Sequence, residues 1–337
     1  MSKKYNIGLV GVGAVGAEMI KVIRERNFPA ETIKIFASRE RDEEIAGETF
    51  HIMPTTEDSF KGLDIVLFAG GTDASVKYRQ AVVDAGAIMI DNSRAFRQDD
   101  DVPLVVPQVN AEDLDWHKGV IANPNCTTAI MLEAVAPLHR AKKLKRLIAS
   151  TYQAASGAGA GGMAELEEQM EQIVKGEPLT VSAFAHQLTY NLIPHIDKFD
   201  ETNWYTLEEL KMRNEARKML HAPELLLSCT SVRVPIPRAH SESLNMEFEE
   251  DITPEEAREI LAAAEGVKVV DDPLNKVYPM PLDVTGKYDV LAGRIRQDIS
   301  RNDRKGLEMF VSGDQLLRGA ALNAVEIAEA LIKRNLV

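Results

Sequence analysis

The sequence is poor in cysteine and has fewer basic than acidic residues, and each shortage excludes a class of protein. Two cysteines, Cys126 and Cys229, in 337 residues cannot build a disulfide framework, and no Cys/His grouping has zinc-ligand spacing. No metal is expected. Lysine and arginine total 39 against 52 aspartates and glutamates, a net charge of −13, so no broad basic surface can neutralise nucleic-acid phosphate. Anionic ligands must then be met by a few local cations. No apolar run approaches the roughly 18 residues of a transmembrane helix. The start, Met1-Ser-Lys-Lys-Tyr-Asn-Ile7, has neither the apolar core nor the cleavage site of a signal peptide, and a reducing, cytoplasmic setting is the expectation. The remainder is 45% hydrophobic and 27% charged, the composition of a globular chain long enough for two domains.

Tyr5 to Val10 forms a short apolar run, and the turn Gly11-Val12-Gly13-Ala14-Val15-Gly16 leads from it into an amphipathic helical pattern. Strand, G-x-G-x-x-G and helix in that order make a dinucleotide site: small residues permit the tight turn, the approach of a pyrophosphate and the packing of helix on strand. The next strand, Thr32 to Ala37, ends in Ser38-Arg39, where an NAD site usually offers a carboxylate. A hydroxyl and a guanidinium suit a 2′-phosphate, which favours NADP; the alternative is an ordinary solvated loop in the charged run Arg39 to Glu44. Strands over Asp64–Ala69 and Ala87–Asp91 flank a helix over Ala74–Ala85. This alternation predicts a doubly wound parallel sheet of Rossmann type, with Gly70, Gly71, Thr72 and Arg97 on the ligand side beyond the strand ends.

The stretch Ile121-Ala-Asn-Pro-Asn-Cys-Thr-Thr turns a strand into a helix at Cys126, with Asn125 as N-cap candidate. A thiol in a helix's first turn is favoured as thiolate by the unpaired N–H groups and the dipole, and those N–H groups can stabilise an oxyanion. A buried structural cysteine is the alternative for Cys126 taken alone. After a basic linker at 142–146, a strand over Leu147–Tyr152 ends at the neutral amide of Gln153 and a glycine-rich loop, before a helix over Met163–Val174. His186 and His195 carry no catalytic signal. Thr206-Leu-Glu-Glu209 is a capping box opening a helix through about Leu220, on which Glu208 and Lys211 have the spacing of a surface ion pair. Arg233 and His240 straddle a turn made by Pro235 and Pro237. A histidine suits proton exchange at neutral pH, so His240 with Cys126 would make a nucleophilic pair. A helix over Gln315–Arg334 should return to the nucleotide domain, giving domains at 1–125 with 315–337 and at 126–314.

Taken in order, Gly-Val-Gly-Ala-Val-Gly, Ile-Asp-Asn-Ser-Arg-Ala-Phe-Arg, Ala-Asn-Pro-Asn-Cys-Thr-Thr, Tyr-Gln-Ala-Ala-Ser-Gly-Ala-Gly and Arg-Val-Pro-Ile-Pro-Arg-Ala-His closely resemble the aspartate-semialdehyde dehydrogenase family over nearly the full length. The resemblance implies a second, α+β domain for catalysis and dimerisation, hence a homodimer. It also implies an enzyme of lysine, threonine and methionine synthesis that interconverts L-aspartate 4-semialdehyde plus phosphate with 4-aspartyl phosphate, using NADP(H). On it, Cys126 attacks the aldehyde, His240 takes and returns the proton, and Gln153 orients the substrate. Arg233 and Glu208, with Asn125, hold the substrate's charged ends. Arg97 and Lys211 form the phosphate site, and Ser38, Arg39, Ser156, Gly157 and Gln315 meet the cofactor. The glycine turn is one residue shorter than the family's, so pyrophosphate would rely on backbone N–H groups; Gln315 stands where asparagine is usual. The rivals are an N-acetyl-glutamyl-phosphate reductase or glyceraldehyde-3-phosphate type of dehydrogenase, a catalytically silent nucleotide-binding paralogue, and a cysteine redox sensor.

Overall fold

A computed structural model describes residues 3–337, which form two compact units: the chain up to Asn125 together with Ala320–Val337, and Cys126–Gly319. The first unit is built from β1 (Tyr5–Val10), α1 (Ala14–Glu25), β2 (Ala30–Ala37), β3 (Arg41–Ile45), β4 (Glu48–Pro54), β5 (Ile65–Phe68), α2 (Thr72–Asp84), β6 (Ile88–Asp91), the short α3 (Pro107–Asn110), β7 (Val120–Ala122) and the C-terminal helix Leu322–Lys333. Its seven strands lie in the order β3-β4-β2-β1-β5-β6-β7, parallel except for β3 against β4. Every residue of β5 and β6 is buried, as expected of central parallel strands covered on both faces. α1 turns Met19, Ile20, Val22 and Ile23 inward, and the C-terminal helix packs beside it.

Two expectations change here. The charged run after Ser38 is not a loop but an edge hairpin, β3 and β4, in which only Ile45 of β3 is buried. A strand so polar on both faces carries no alternation to read, and the edge is where such a strand is tolerated. The return to the nucleotide unit begins at Ala320, not Gln315, because Gln315 and Arg318 are bound inside the second unit: the Gln315 amide accepts from Ala239 N–H at 2.8 Å and Arg318 donates to Tyr288 O at 3.1 Å. A π-helical turn over Leu317–Ala321 precedes the regular helix.

The second unit contains α4 (Cys126–Lys142), β8 (Leu144–Gln153), α5 (Gly159–Lys175), α6 (Leu207–Met219), β9 (Leu226–Arg233), β10 (His240–Phe248), α7 (Pro254–Ala262), β11 (Val267–Val269), α8 (Pro281–Val284), β12 (Val290–Gln297) and β13 (Gly306–Gly313). The sheet order is β11-β12-β13-β10-β8-β9, of mixed direction. The expected basic linker at 142–146 is the end of α4 and the start of β8, where Leu144 and Leu147 are buried. Alternation along β8 sends Leu147, Ala149, Thr151 and Gln153 to the face covered by α4 and leaves Tyr152 on the other, open face. The long segment between α5 and α6 has no regular structure, yet α5 holds it. Gln169 accepts from the N–H groups of Leu188 and Thr189, both at 3.0 Å, and Glu165 accepts from Ser182 N and Oγ, both at 2.8 Å.

Glu242 lies in β10 on the covered face, fully buried, with no hydrogen-bond partner for either carboxyl oxygen. Burial holds its pKa well above the ordinary value, which favours the neutral form. Below about pH 4 the carboxyl is protonated in folded and unfolded chains alike. As pH rises the unfolded chain ionises first, and stability is lost until the folded carboxyl titrates. Glu242→Gln should therefore raise Tm at pH 7–8 by a margin that shrinks to nothing near pH 4, measured by thermal unfolding across that range.

Candidate active site

α4 begins at Cys126, immediately after Pro124 and Asn125, and is buried from Thr127 to Leu138. That burial fixes the amide-rich end of the helix while Cys126 itself stays partly exposed. A Cβ on Gly319 would stand 2.6 Å from Cys126 Cβ, so the backbone that follows the π turn's start lies directly against the Cys126 side chain. Cys229, the other thiol, is a different object. It is buried beside Met212, and burial pushes its pKa up, which keeps it a thiol.

From the helix start a chain of polar contacts runs through the second unit. Gln153 Nε2, at the end of β8, donates to Thr127 Oγ1 at 2.8 Å and to Glu208 Oε1 at 3.1 Å. Thr151 Oγ1 donates to the Gln153 carbonyl at 3.2 Å, so the amide is held at both ends. Glu208 follows the N-cap Thr206, whose capping box with Glu209 is formed as the sequence suggests. Glu208 Oε2 meets Lys211 Nζ at 3.1 Å, and Asp197 Oδ2 meets the same ammonium at 2.7 Å. Burial opposes the charge on Lys211, but Glu208 and then Asp197 more than offset it, and its pKa lies above the ordinary value. Spacing alone made Glu208–Lys211 a surface pair; a Glu208 side chain only 7% exposed shows that it is not.

Arg233 ends β9 and His240 begins β10, and both are buried. Arg233 Nη1 donates to Ala154 O at 2.6 Å, and the Phe184 ring lies 6.0 Å from its guanidinium. The N–H of the same residue, Ala154, donates to His240 Nδ1 at 3.0 Å. A neutral ring that accepts at Nδ1 carries its proton on Nε2. Burial first, and Arg233 second, hold the His240 pKa well below the usual histidine value, so the ring is neutral at physiological pH. A Cβ on Gly157 would stand 2.6 Å from Arg233 Nη1 and 3.4 Å from His240 Nε2; glycine is what lets the 155–158 turn sit against both. Ser156 and Gln315 are bonded to one another, with the Gln315 amide as donor, and with the Ala239 N–H this ties up both ends of that amide.

In the first unit the glycine turn opens a cavity of about 880 Å³ lined by Gly11, Val12, Gly13, Ser38, Arg39 and Gly70 among others. Gly11 has φ +94°, and a Cβ there would lie 2.7 Å from Gly70 N; one on Gly16 would lie 2.1 Å from Gly11 O. Ala14 and Val15 open α1, Gly71 precedes α2 and Thr72 is its first residue. Arg41, Thr55 and Lys77 also line the cavity, and no motif points to them: they come from β3, the residue after β4 and α2. Arg97 is buried beyond β6 with Nη2 on Asn92 O at 3.0 Å, whereas Arg94 is exposed. Arg97 and Lys211 belong to different units.

Two family models match the chain, "Semialdehyde dehydrogenase, NAD binding domain" over residues 6–117 and "Semialdehyde dehydrogenase, dimerisation domain" over 135–318. The aspartate-semialdehyde dehydrogenase of Campylobacter jejuni is 47% identical over 339 residues, covering 98% of each chain, and that of Bacillus subtilis is 42% identical over the whole of both. The chain belongs to the aspartate-semialdehyde dehydrogenase family. The crystal structure of aspartate semialdehyde dehydrogenase II complexed with ASA from Vibrio cholerae superposes with a TM-score of 0.94 at 36% identity, covering 98% of this chain and 99% of that one.

As a semialdehyde dehydrogenase the chain uses a nicotinamide cofactor, and the glycine cradle and the cavity above it fit a dinucleotide. The family's second unit here holds Cys126, Gln153, Glu208, Lys211, Arg233 and His240, residues distant in sequence that stand on the sheet, α4 and α6. Iodoacetamide at neutral pH should label the folded protein once, at Cys126, and leave Cys229 untouched, as read by peptide mass. Gly157→Ala should lower kcat/KM by tenfold or more, since the methyl displaces Arg233 or His240, while circular dichroism stays unaltered; this is about 1.4 kcal/mol of transition-state stabilisation.

Proposed function

We propose that this protein catalyses the reversible, phosphate-dependent oxidation of L-aspartate 4-semialdehyde to 4-aspartyl phosphate with NADP(H), running in the reductive direction in lysine, threonine and methionine synthesis. The observation that carries this reading is the single polar cluster around Cys126: a thiol at a buried helix's start, linked through Thr127 and Gln153 to Glu208, in the same unit as Arg233 and His240. Arg233 suits the substrate's carboxylate, Glu208 its ammonium, and Asn125 borders the nucleophile. Lys211 and Arg97 are the cations for phosphate.

In the oxidative direction the Cys126 thiolate adds to the aldehyde carbon, forming a C–S bond and an alkoxide. His240 presents Nε2–H to that oxygen. This refines the role read from residue type: a ring fixed by Ala154 as the Nε2–H tautomer stabilises the alkoxide as a donor, rather than drawing a proton from the thiol at that nitrogen. A nicotinamide bound in the first unit supplies the hydride acceptor in this direction and the donor in the other. With the hydride gone the carbon is a thioester on Cys126. A phosphate oxygen then attacks, the C–S bond breaks, its electron pair returns to sulfur, and the phosphate's proton passes to solvent. The Gln153 amide keeps Thr127, next to the nucleophile, and Glu208 in fixed register throughout.

The choice of NADP rests on Ser38 and Arg39 at the end of β2, reinforced by Arg41 and Lys77 in the same cavity. Ser156, Gly157 and Gln315 complete the cofactor's surroundings, with Gln315 acting through its bond to Ser156. The reading includes a cytoplasmic homodimer joined through the open face of the second sheet, where Tyr152, Leu226 and Thr230 are exposed on a unit matched by a dimerisation model.

Phosphate-dependent NADP reduction by L-aspartate 4-semialdehyde should be robust, and much weaker with NAD or with N-acetylglutamate semialdehyde. Turnover with the latter aldehyde alone would overturn the substrate. Cys126→Ala should abolish turnover and keep cofactor binding; His240→Asn should slow turnover by roughly 100-fold or more. Because the neutral ring is the working form and its pKa is depressed, kcat/KM should show no histidine inflection near pH 6.5 and should fall only as pH drops through that lower value.

A further inference from the structure

His240 is preceded by an alanine in a conformation that alanine rarely adopts. Ala239 has φ +77°, in the left-handed region, and is fully buried, with its side chain packed among Val284 and Leu291. A residue other than glycine persists there only where its surroundings hold it, and such residues gather at functional sites. This one lies between the proline turn and the first position of β10.

The hold comes from the end of β13. Gly313, its last residue, is the sheet partner of His240. The chain continues into Asp314 and Gln315, both buried, and each of them grips one residue of the segment before His240. Asp314 Oδ2 accepts from Arg238 Nε and from Gly286 N–H, both at 2.7 Å, and Gln315 Oε1 accepts from Ala239 N–H at 2.8 Å. The other carboxylate oxygen serves the following turn: Asp314 Oδ1 accepts from the N–H groups of Leu316 and Leu317, at 3.0 and 3.3 Å. An ionised carboxylate has acceptors on both sides, whereas an amide of the same size has an acceptor on one and a donor on the other.

We propose that Asp314 is a positioning residue for His240. It fixes Arg238 and, with Gln315, the left-handed backbone at Ala239, so that the imidazole leaves β10 in the one direction that lets Ala154 N–H meet its Nδ1. The inference rests on the reading of His240 as the group that meets the alkoxide. Because Asp314 acts through His240, its loss slows the chemical step and leaves substrate binding in place.

The test is Asp314→Asn in NADP reduction by aspartate semialdehyde, made in two backgrounds, the natural chain and His240→Asn. Asparagine keeps an acceptor for Leu316 and Leu317 and loses the one for Arg238 and Gly286. In the natural background kcat should fall by about tenfold or more, with the KM values for semialdehyde and phosphate within about twofold. In the His240→Asn background the same change should alter kcat by less than about twofold, because two residues that act through one group do not add. An unaltered kcat in the natural background, or an equal loss in both, overturns the positioning role while His240 keeps its own. Full turnover by His240→Asn overturns the reading of His240 and the positioning role with it. If Asp314→Asn does not fold, Arg238→Gln breaks the same contact from the more exposed side and is read in the same two backgrounds.

Discussion

The side-chain amide of Gln153 is the joint on which the second unit depends. Its two N–H groups go to Thr127 and Glu208, and its carbonyl to Thr151. Those three partners stand on α4, α6 and β8, so a single buried, neutral group sets the helix that starts at Cys126, the helix that carries Glu208 and the sheet against one another. A charged residue there would need a counter-charge in a desolvated place, and an apolar one would take a buried N–H donor from Glu208 Oε1 and from Thr127. An amide satisfies both an oxygen acceptor and a hydroxyl donor without adding charge.

Around that joint the backbone comes close to the side chains of Cys126, Arg233 and His240. Gly319 lies on Cys126, and Gly157 lies on Arg233 and His240. Ala154 serves two residues at once, its carbonyl receiving Arg233 and its N–H fixing the His240 ring. The consequence is electrostatic as well as steric. Arg233 beside a buried imidazole discourages a second positive charge, so His240 is neutral and offers one defined proton. Burial lowers the Arg233 pKa as well, with Glu208 and Cys126 acting against that shift, which is the sign of a guanidinium sharing its surroundings with negative groups.

Much of this was legible in the sequence, for identifiable reasons. The glycine turn, the apolar runs of β5 and β6, the capping box at Thr206 and the thiol after Pro124-Asn125 are local patterns, and local patterns survive folding. What escaped was of two kinds. β3 has no apolar alternation, because an edge strand solvated on both faces needs none. Asp197 and Lys77 stand beside partners from other parts of the fold, Lys211 and the β2 turn, and no spacing rule reaches them. The misplaced end of the second unit belongs to that class: Gln315–Gly319 has helical composition, but its side chains are bound within the second unit and its backbone makes a π turn instead. Glu208 and Lys211 were half legible, since the helical spacing was right and only their burial changed an ordinary pair into part of the site.

The central claim is that the reaction passes through an acyl group on Cys126. The direct measurement is the intact and peptide mass of the protein after mixing with aspartate semialdehyde and NADP in the absence of phosphate, quenched in acid. The account predicts one aspartyl adduct on the Cys126 peptide, formed in step with nicotinamide reduction and lost on adding phosphate. Nicotinamide reduction with no adduct on Cys126, or an adduct on any other residue that phosphate discharges, would contradict it.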